Sequence, residues 1–193
     1  NIGFMFAPNY HPAMKYVAPV RKELGVRTFF NLLGPLTNPA DALSQVVGVY
    51  DKKLCTIFAQ VLNKLGSKHV MAVSGNDGMD EISITGPTFI AELKNNKINE
   101  YEVKPEDFDI VSGNIDDIKV KDVKQSENMI IDILDGKPST ARDIAILNAG
   151  AAIYVSGLSN DLKTGVQKAA TVVDDGSAKN KLQQLIKESN KYG

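Results

Sequence analysis

The chain has 193 residues, 43% hydrophobic and 23% charged, which fits one domain or one domain plus part of another and excludes a disordered chain. Twenty-two Lys+Arg against 23 Asp+Glu give a net charge of -1, so no basic excess exists to hold nucleic acid or an anionic membrane non-specifically. A single cysteine, two histidines and no tryptophan exclude a disulfide framework and a Cys-based zinc site, and argue against a His-rich metal centre or a stacking platform for single-stranded nucleic acid.

The elements follow in order. Ile2–Phe6 is predicted as a buried strand and Pro8-Asn9-Tyr10 as a loop. The chain enters this apolar run at once, with no initiator methionine, and so reads as a piece of a longer protein, cut upstream. Pro12 suits the first position of a helix that runs to Gly25, with Pro19 as a kink. Val26–Pro39 is apolar but interrupted by Gly34-Pro35 and Asn38-Pro39, and reads as an apolar loop walling a site. Gln45–Tyr50 is a strand, and Asp51 caps a helix from Lys52 to Leu65. His69–Ser74 is a continuous apolar strand of the kind buried on both faces. Thr88–Leu93 and Ile98–Val103 alternate around Asn95-Asn96 as a hairpin, and Pro105–Phe108 is one helical turn. Ser126–Leu134, Ser139–Ser156, Asp161–Asp175 and Ser177–Lys191 close the chain as helices, with Gly136, Gly157 and Gly176 where C-cap glycines belong. The fold class is α/β: a largely parallel sheet with an inserted antiparallel hairpin and surrounding helices.

The first chemical candidate is Ser74-Gly75-Asn76-Asp77-Gly78-Met79-Asp80-Glu81, at the carboxyl end of the apolar strand, the edge where open parallel sheets bind ligands. Asp77, Asp80 and Glu81 lie close enough in a turn to converge on one hard cation, and Mg²⁺ held this way also touches substrate phosphates. The spacing is not that of an EF-hand, and the competing reading is a solvated acidic turn. Arg21 shares an apolar helical stripe with Met14 and Ala18. It either pairs with a core carboxylate or waits for an anionic ligand. His11 is either a packing residue ahead of a helix or an acid/base group, and Cys55 reads as core. No G-x-G-x-x-G, P-loop or G-x-S-x-G motif occurs, so a phosphate cradle would have to lie elsewhere, upstream of Asn1. No apolar run approaches the roughly 18 residues of a membrane span and no signal peptide is visible, so the protein is expected to be soluble, reduced and cytoplasmic.

Tyr10-His11-Pro12-Ala13-Met14-Lys15, Pro19-Val20-Arg21-Lys22-Glu23-Leu24-Gly25-Val26-Arg27-Thr28 and Phe30-Asn31-Leu32-Leu33-Gly34-Pro35-Leu36-Thr37-Asn38-Pro39 form a specific block. With Gly78-Met79-Asp80-Glu81, Lys104-Pro105-Glu106-Asp107-Phe108 and Leu147-Asn148-Ala149-Gly150-Ala151-Ala152, the chain resembles anthranilate phosphoribosyltransferase along essentially its whole length. The resemblance implies a nucleoside phosphorylase/phosphoribosyltransferase-type α/β domain and joining of anthranilate to 5-phosphoribosyl 1-diphosphate in tryptophan biosynthesis. It makes Arg21 the anthranilate-binding arginine, lets His11, Gly34 and Pro35 line the anthranilate channel, and makes Asp80 and Glu81 the Mg²⁺ pair. It implies small-molecule substrates, no nucleic acid or membrane partner, and a homodimer for the full-length protein.

In that family a helical domain, a glycine-rich pyrophosphate loop and a Mg²⁺-binding serine precede the matching segment. Residues 1–193 are therefore expected to be most of the C-terminal α/β domain, truncated on its N-terminal side, and inactive alone. Asp109 stands where the family leads one to expect glycine, at a position that calls for positive φ. The alternatives are a pyrimidine nucleoside phosphorylase of the same fold and a non-catalytic folded fragment.

Overall fold

A computed structural model describes residues 2–12, 16–17, 19, 23 and 30–191. The elements, in chain order, begin with α1 (Ala7–Tyr10), α2 (Phe30–Leu36), β1 (Ser44–Gly48), α3 (Lys52–Lys64) and β2 (His69–Gly75). They continue with β3 (Thr88–Lys94), β4 (Lys97–Val103), α4 (Val123–Leu134), α5 (Thr140–Val155), α6 (Leu162–Asp174) and α7 (Ser177–Ser189). Short 3₁₀ turns at Pro105–Phe108 and Ile115–Ile118 link β4 to α4. Among the described residues no helix is long and apolar enough to cross a membrane.

The α/β class and the inserted hairpin stand as expected. The sheet order is β1-β2-β3-β4, with β1 parallel to β2 and β3 antiparallel to both β2 and β4. The parallel part of the described sheet is thus confined to β1–β2. β2 is buried at every residue because both faces are covered, which is why its sequence is apolar without alternation. Met71 and Val73 pack toward α5 and α6 with Ile90, Leu147, Ala151 and Val166. Val70 and Ala72 pack the other way, toward α3, with Cys55, Phe58, Ala59 and Leu62. Burial pushes the Cys55 thiol up to about 12, which suits a core residue without redox work.

Local chemistry explains the boundaries. Asp51, Asp122, Ser139 and Asp161 each cap a helix by accepting from a first-turn N–H. Asn95 and Asn96 both take positive φ (53° and 60°), the turn that matches strand twist in a two-residue hairpin. Asp109 is left-handed too, at φ 62°. Gly136, Gly157 and Gly176 also adopt positive φ at the helix ends.

Three expectations are corrected. Ile2–Phe6 is not a buried strand: it pairs with no strand among the described residues, and Phe4 is 79% exposed. Pro8-Asn9-Tyr10 belongs to the helical turn α1. Part of the Val26–Pro39 loop is helix α2, which tolerates Pro35 because it is short and closes at once. Thr37 ends it, its Oγ1 donating to Leu33 O at 2.9 Å and its N–H to Gly34 O at 3.2 Å. Tyr16, Val17, Pro19 and Glu23 are helical; the rest of the Pro12–Gly25 helix lies largely outside the described residues.

A polar network ties the amino end of β2 to the hairpin and to α5. Glu92 (7% exposed) accepts from His69 Nε2 (2.9 Å), Tyr154 OH (2.7 Å) and Tyr101 OH (2.8 Å). Lys94 Nζ donates to Tyr154 OH at 3.0 Å. Burial alone would raise the Glu92 carboxyl, but the donors Tyr154, His69 and Tyr101 together hold it below its ordinary value. Its stabilising contribution is therefore present above the ordinary glutamate pKa, about 4.3, and is lost as pH falls through the lower folded value. Glu92→Gln is expected to cost about 2–3 kcal/mol at pH 7. In urea unfolding from pH 7 to 3, the gap between wild type and variant should close in acid; a constant gap would contradict the charge argument.

Candidate functional site

The acidic segment begins where β2 stops. Gly75 N donates to Met79 O (2.8 Å), Gly78 N to Gly75 O (3.0 Å) and Asn76 N to Pro87 O (2.9 Å), so the backbone folds back tightly on itself. Gly78 sits at φ 85°, a conformation that side-chain-bearing residues seldom take. Asp77 does not join the other two acids, contrary to expectation. Its Oδ1 accepts from Met79 N (3.0 Å), and its Oδ2 accepts from Ser83 Oγ and Thr85 Oγ1, both at 2.7 Å. Burial would raise this carboxyl, but the bonds from Ser83, Thr85 and Met79 outweigh it and hold the pKa down. Asp77 is thus the brace of the turn.

Asp80 and Glu81 remain exposed. Their backbone is fixed on both sides. The Asp80 carbonyl lies directly over Gly48 of β1, where a Cβ would come within 1.5 Å of the oxygen. The next residue, Ile82, is 2% exposed. Its N–H donates to Asn148 Oδ1 (2.9 Å) and its carbonyl accepts from Asn148 Nδ2 (3.0 Å), both from α5. Beyond it, Ser83 N donates to buried Thr88 Oγ1 at 2.8 Å. The pair therefore projects from a short segment held by sheet and helix.

Glu81 titrates above its ordinary value, first through desolvation and then through the charge of Asp80. A partly desolvated carboxylate beside a second negative charge is a donor set that a hard cation relieves. Among the described residues no group of three or more His, Cys, Asp or Glu is placed to hold a metal ion. Two carboxylates still fit Mg²⁺, which keeps several waters and completes its shell with substrate phosphates. A cleft of about 330 Å³ opens at the same sheet edge. Tyr50, Lys52, Gly75, Asn76, Phe89 and Glu102 are among its walls, and Asp80 and Glu81 are not.

Of the other predicted site residues, His11 is half-buried just after α1, Gly34 is exposed and Pro35 half-buried in α2. No hydrogen bond among the described residues joins these three to the acidic turn. Arg21 lies outside the described residues. Sequence reasoning assigned no role to Asn148, Gly48, Ser83 or Thr85. The available signal was a single asparagine within the apolar run Ile144–Val155, where an amide withdrawn from water, half-buried here, needs partners.

β2 ends at an acid-bearing turn in an α/β sheet covered by helices on both faces, and this is the edge at which open sheets of that class bind ligands. Residues 1–179 match the glycosyl transferase family, a/b domain, and the chain belongs to that family. It is 57% identical over 184 residues to anthranilate phosphoribosyltransferase of Methylobacillus flagellatus, covering 95% of this chain and 54% of that protein. Against the Nitrosomonas europaea enzyme of the same name the identity is 52% over 189 residues, covering 98% of this chain and 55% of that protein. The chain thus spans about half the length of the curated relatives it matches.

Among solved structures, the crystal structure of anthranilate phosphoribosyltransferase from Thermus thermophilus superposes with TM-score 0.87 at 37% identity, over 94% of this chain and 54% of that one. The Saccharomyces cerevisiae enzyme in complex with PRPP and Mg superposes with TM-score 0.80 at 26% identity, over 90% of this chain and 50% of that one. Another structure of the yeast enzyme is in complex with 4-fluoroanthranilate.

Proposed function

We propose that the protein to which this chain belongs transfers the phosphoribosyl group of 5-phosphoribosyl 1-diphosphate to anthranilate, giving N-(5-phosphoribosyl)anthranilate and diphosphate in cytoplasmic tryptophan biosynthesis. The observation that carries this reading is the braced, exposed Asp80–Glu81 pair at the carboxyl edge of β2, in a chain similar to a solved enzyme holding PRPP and Mg. In this reading residues 1–193 are most of the C-terminal α/β domain, the helical domain and pyrophosphate loop lie outside them, the isolated segment does not turn over, and the intact protein is a homodimer.

Asp80 and Glu81 would hold the Mg²⁺, which when bound neutralises charge building on the diphosphate leaving group. Asp77 braces the turn that leads to this pair, and the close fit of Asp80 over Gly48 sets its backbone before substrate arrives, a preorganised arrangement. Arg21 binds the anthranilate carboxylate, and His11, Gly34 and Pro35 line the channel that orients the ring. The contribution is positional: the aryl amine is held in line with the anomeric carbon as the C–O bond to diphosphate breaks and the C–N bond forms. An aryl amine is neutral at pH 7, so no strong general base is needed.

Arg21→Ala in the intact protein tests the substrate assignment. Loss of a charge-assisted bidentate pair, roughly 1.5–3 kcal/mol, should raise KM for anthranilate about 10- to 150-fold and leave KM for the phosphoribosyl donor nearly unchanged. Equal loss for both substrates would make Arg21 a structural ion-pair residue. Calorimetric binding of a pyrimidine in place of anthranilate would favour a nucleoside phosphorylase.

A further inference from the structure

Asn148 stands out on α5. Its neighbours Leu147 (1% exposed) and Ala151 (0%) are apolar core, as is Ile144, one turn back, at 8%. Both ends of the Asn148 amide are nevertheless bonded to backbone. Oδ1 accepts from Ile82 N at 2.9 Å, and Nδ2 donates to Ile82 O and to Ile144 O, each at 3.0 Å. The bond to Ile144, on its own helix, fixes the rotamer. The two bonds to Ile82 imitate a neighbouring β-strand: they seize the N–H and carbonyl of one residue and so fix the peptide planes on both sides of it. One of those planes carries the Glu81 carbonyl.

The helix that supplies this clamp is closely packed on its other side. Residue 150 lies roughly 200° round the helix from residue 148. A Cβ on Gly150 would approach Val166 N and Cα to 2.6 Å, and one on Gly165 would approach Gly150 O to 2.4 Å. α5 is thus wedged between α6 and the acidic segment, with backbone against backbone on the α6 side. Asp77 and Gly48 brace the same segment from the sheet and its turn; Asn148 is the brace that comes from a helix.

The geometry points to Asn148 as a positioning residue for the Asp80–Glu81 pair. By fixing the Glu81–Ile82 peptide it anchors the carboxyl side of the segment that presents the two carboxylates, and so supports the affinity of the site for a divalent cation bound with the phosphorylated donor. The inference rests on the metal reading of Asp80 and Glu81 given above. It predicts that the clamp is felt in cation affinity beyond any change in global stability.

The test is a Mn²⁺ titration of the intact protein with 5-phosphoribosyl 1-diphosphate present and anthranilate omitted, read by water-proton relaxation, so that no turnover is needed. Asn148→Ala should weaken Mn²⁺ binding about 10-fold or more, roughly the effect of losing hydrogen bonds to a buried backbone group. Leu62→Ala, in the core cluster on the α3 side, serves as a destabilised control and should bind Mn²⁺ like wild type. Asn148→Asp keeps the acceptor for Ile82 N–H and the shape of the side chain, and covers the case in which the alanine variant does not fold. It should also bind Mn²⁺ more weakly, although its added anion alone would tighten binding.

Wild-type or tighter binding in the Asn148 variants, or equal weakening in Leu62→Ala, overturns the positioning role. The pair Asp80→Asn with Glu81→Gln separates this from failure of the metal reading. If that double variant binds Mn²⁺ like wild type, the metal reading falls and the inference with it. If it alone loses binding, the metal reading stands and Asn148 is structural.

Discussion

Replacing Gly48 by alanine is expected to cost about 3 kcal/mol of stability, the upper end for overpacking, and to disrupt the acidic site at the same time. The added Cβ would lie 1.5 Å from Asp80 O and 2.4 Å from Asp80 C. Both are backbone atoms, so no rotamer change relieves the contact. Either β1 or the turn must move. β1 is held by its register with β2 from Ser44↔His69 to Gly48↔Val73, and Val47 is part of the core against α3. The turn is the softer element and should yield, carrying Asp80 and Glu81 with it. Chemical denaturation should show the stability loss, and Mn²⁺ titration with the phosphoribosyl donor should show weakened binding. Wild-type values in both would mean that the segment over β1 is looser than its geometry implies.

Asp80→Asn combined with Glu81→Gln should lower turnover of the intact protein by about 4 kcal/mol of transition-state stabilisation, roughly 10³-fold, at ordinary Mg²⁺. The fold should survive, because both side chains are exposed and the turn is braced by other groups: Asp77, Gly48 and Asn148. The unliganded variant should even gain slightly. Glu81 titrates high in the folded chain, through desolvation and then the Asp80 charge, so its ionised form is disfavoured there. A raised carboxyl adds stability at low pH and loses it as pH rises through the folded value. The variant's advantage should therefore be largest at neutral pH and shrink in acid. Undiminished activity across a Mg²⁺ titration would remove the metal assignment, and an advantage that grew in acid would contradict the repulsion argument.

Much of the scaffold was legible because its cause is local. Burial on both faces makes β2 a continuous apolar run, the Asn95-Asn96 pair permits a two-residue turn with positive φ, and Asp or Ser ahead of an apolar stripe marks a helix start. Asp80-Glu81 could be singled out because adjacent acids followed a strand of that type. The reading of Ile2–Phe6 failed because an apolar run specifies a wish for burial without naming the partner; its residues are exposed here. Gly34-Pro35 argued for a loop by local propensity, yet Thr37 closes a short helix around it.

The α/β class, the order of most elements from Ser44 onward and the position of the acidic pair follow from local pattern, since each depends on residues within a few positions of one another. What each acid does follows instead from contacts between distant parts of the chain. Asp77, Asp80 and Glu81 are equivalent as letters and all three are exposed, but Ser83 and Thr85 fold back to occupy the Asp77 carboxylate and commit it to the turn. The clamp on Ile82 comes from Asn148, 66 positions away, and the floor under Asp80 from Gly48, 32 positions earlier. Periodicity and propensity carry no information over such separations. The contacts exist because parallel pairing aligns β1 with β2 and because α5, wedged against α6 at Gly150, brings its one amide to the sheet's edge.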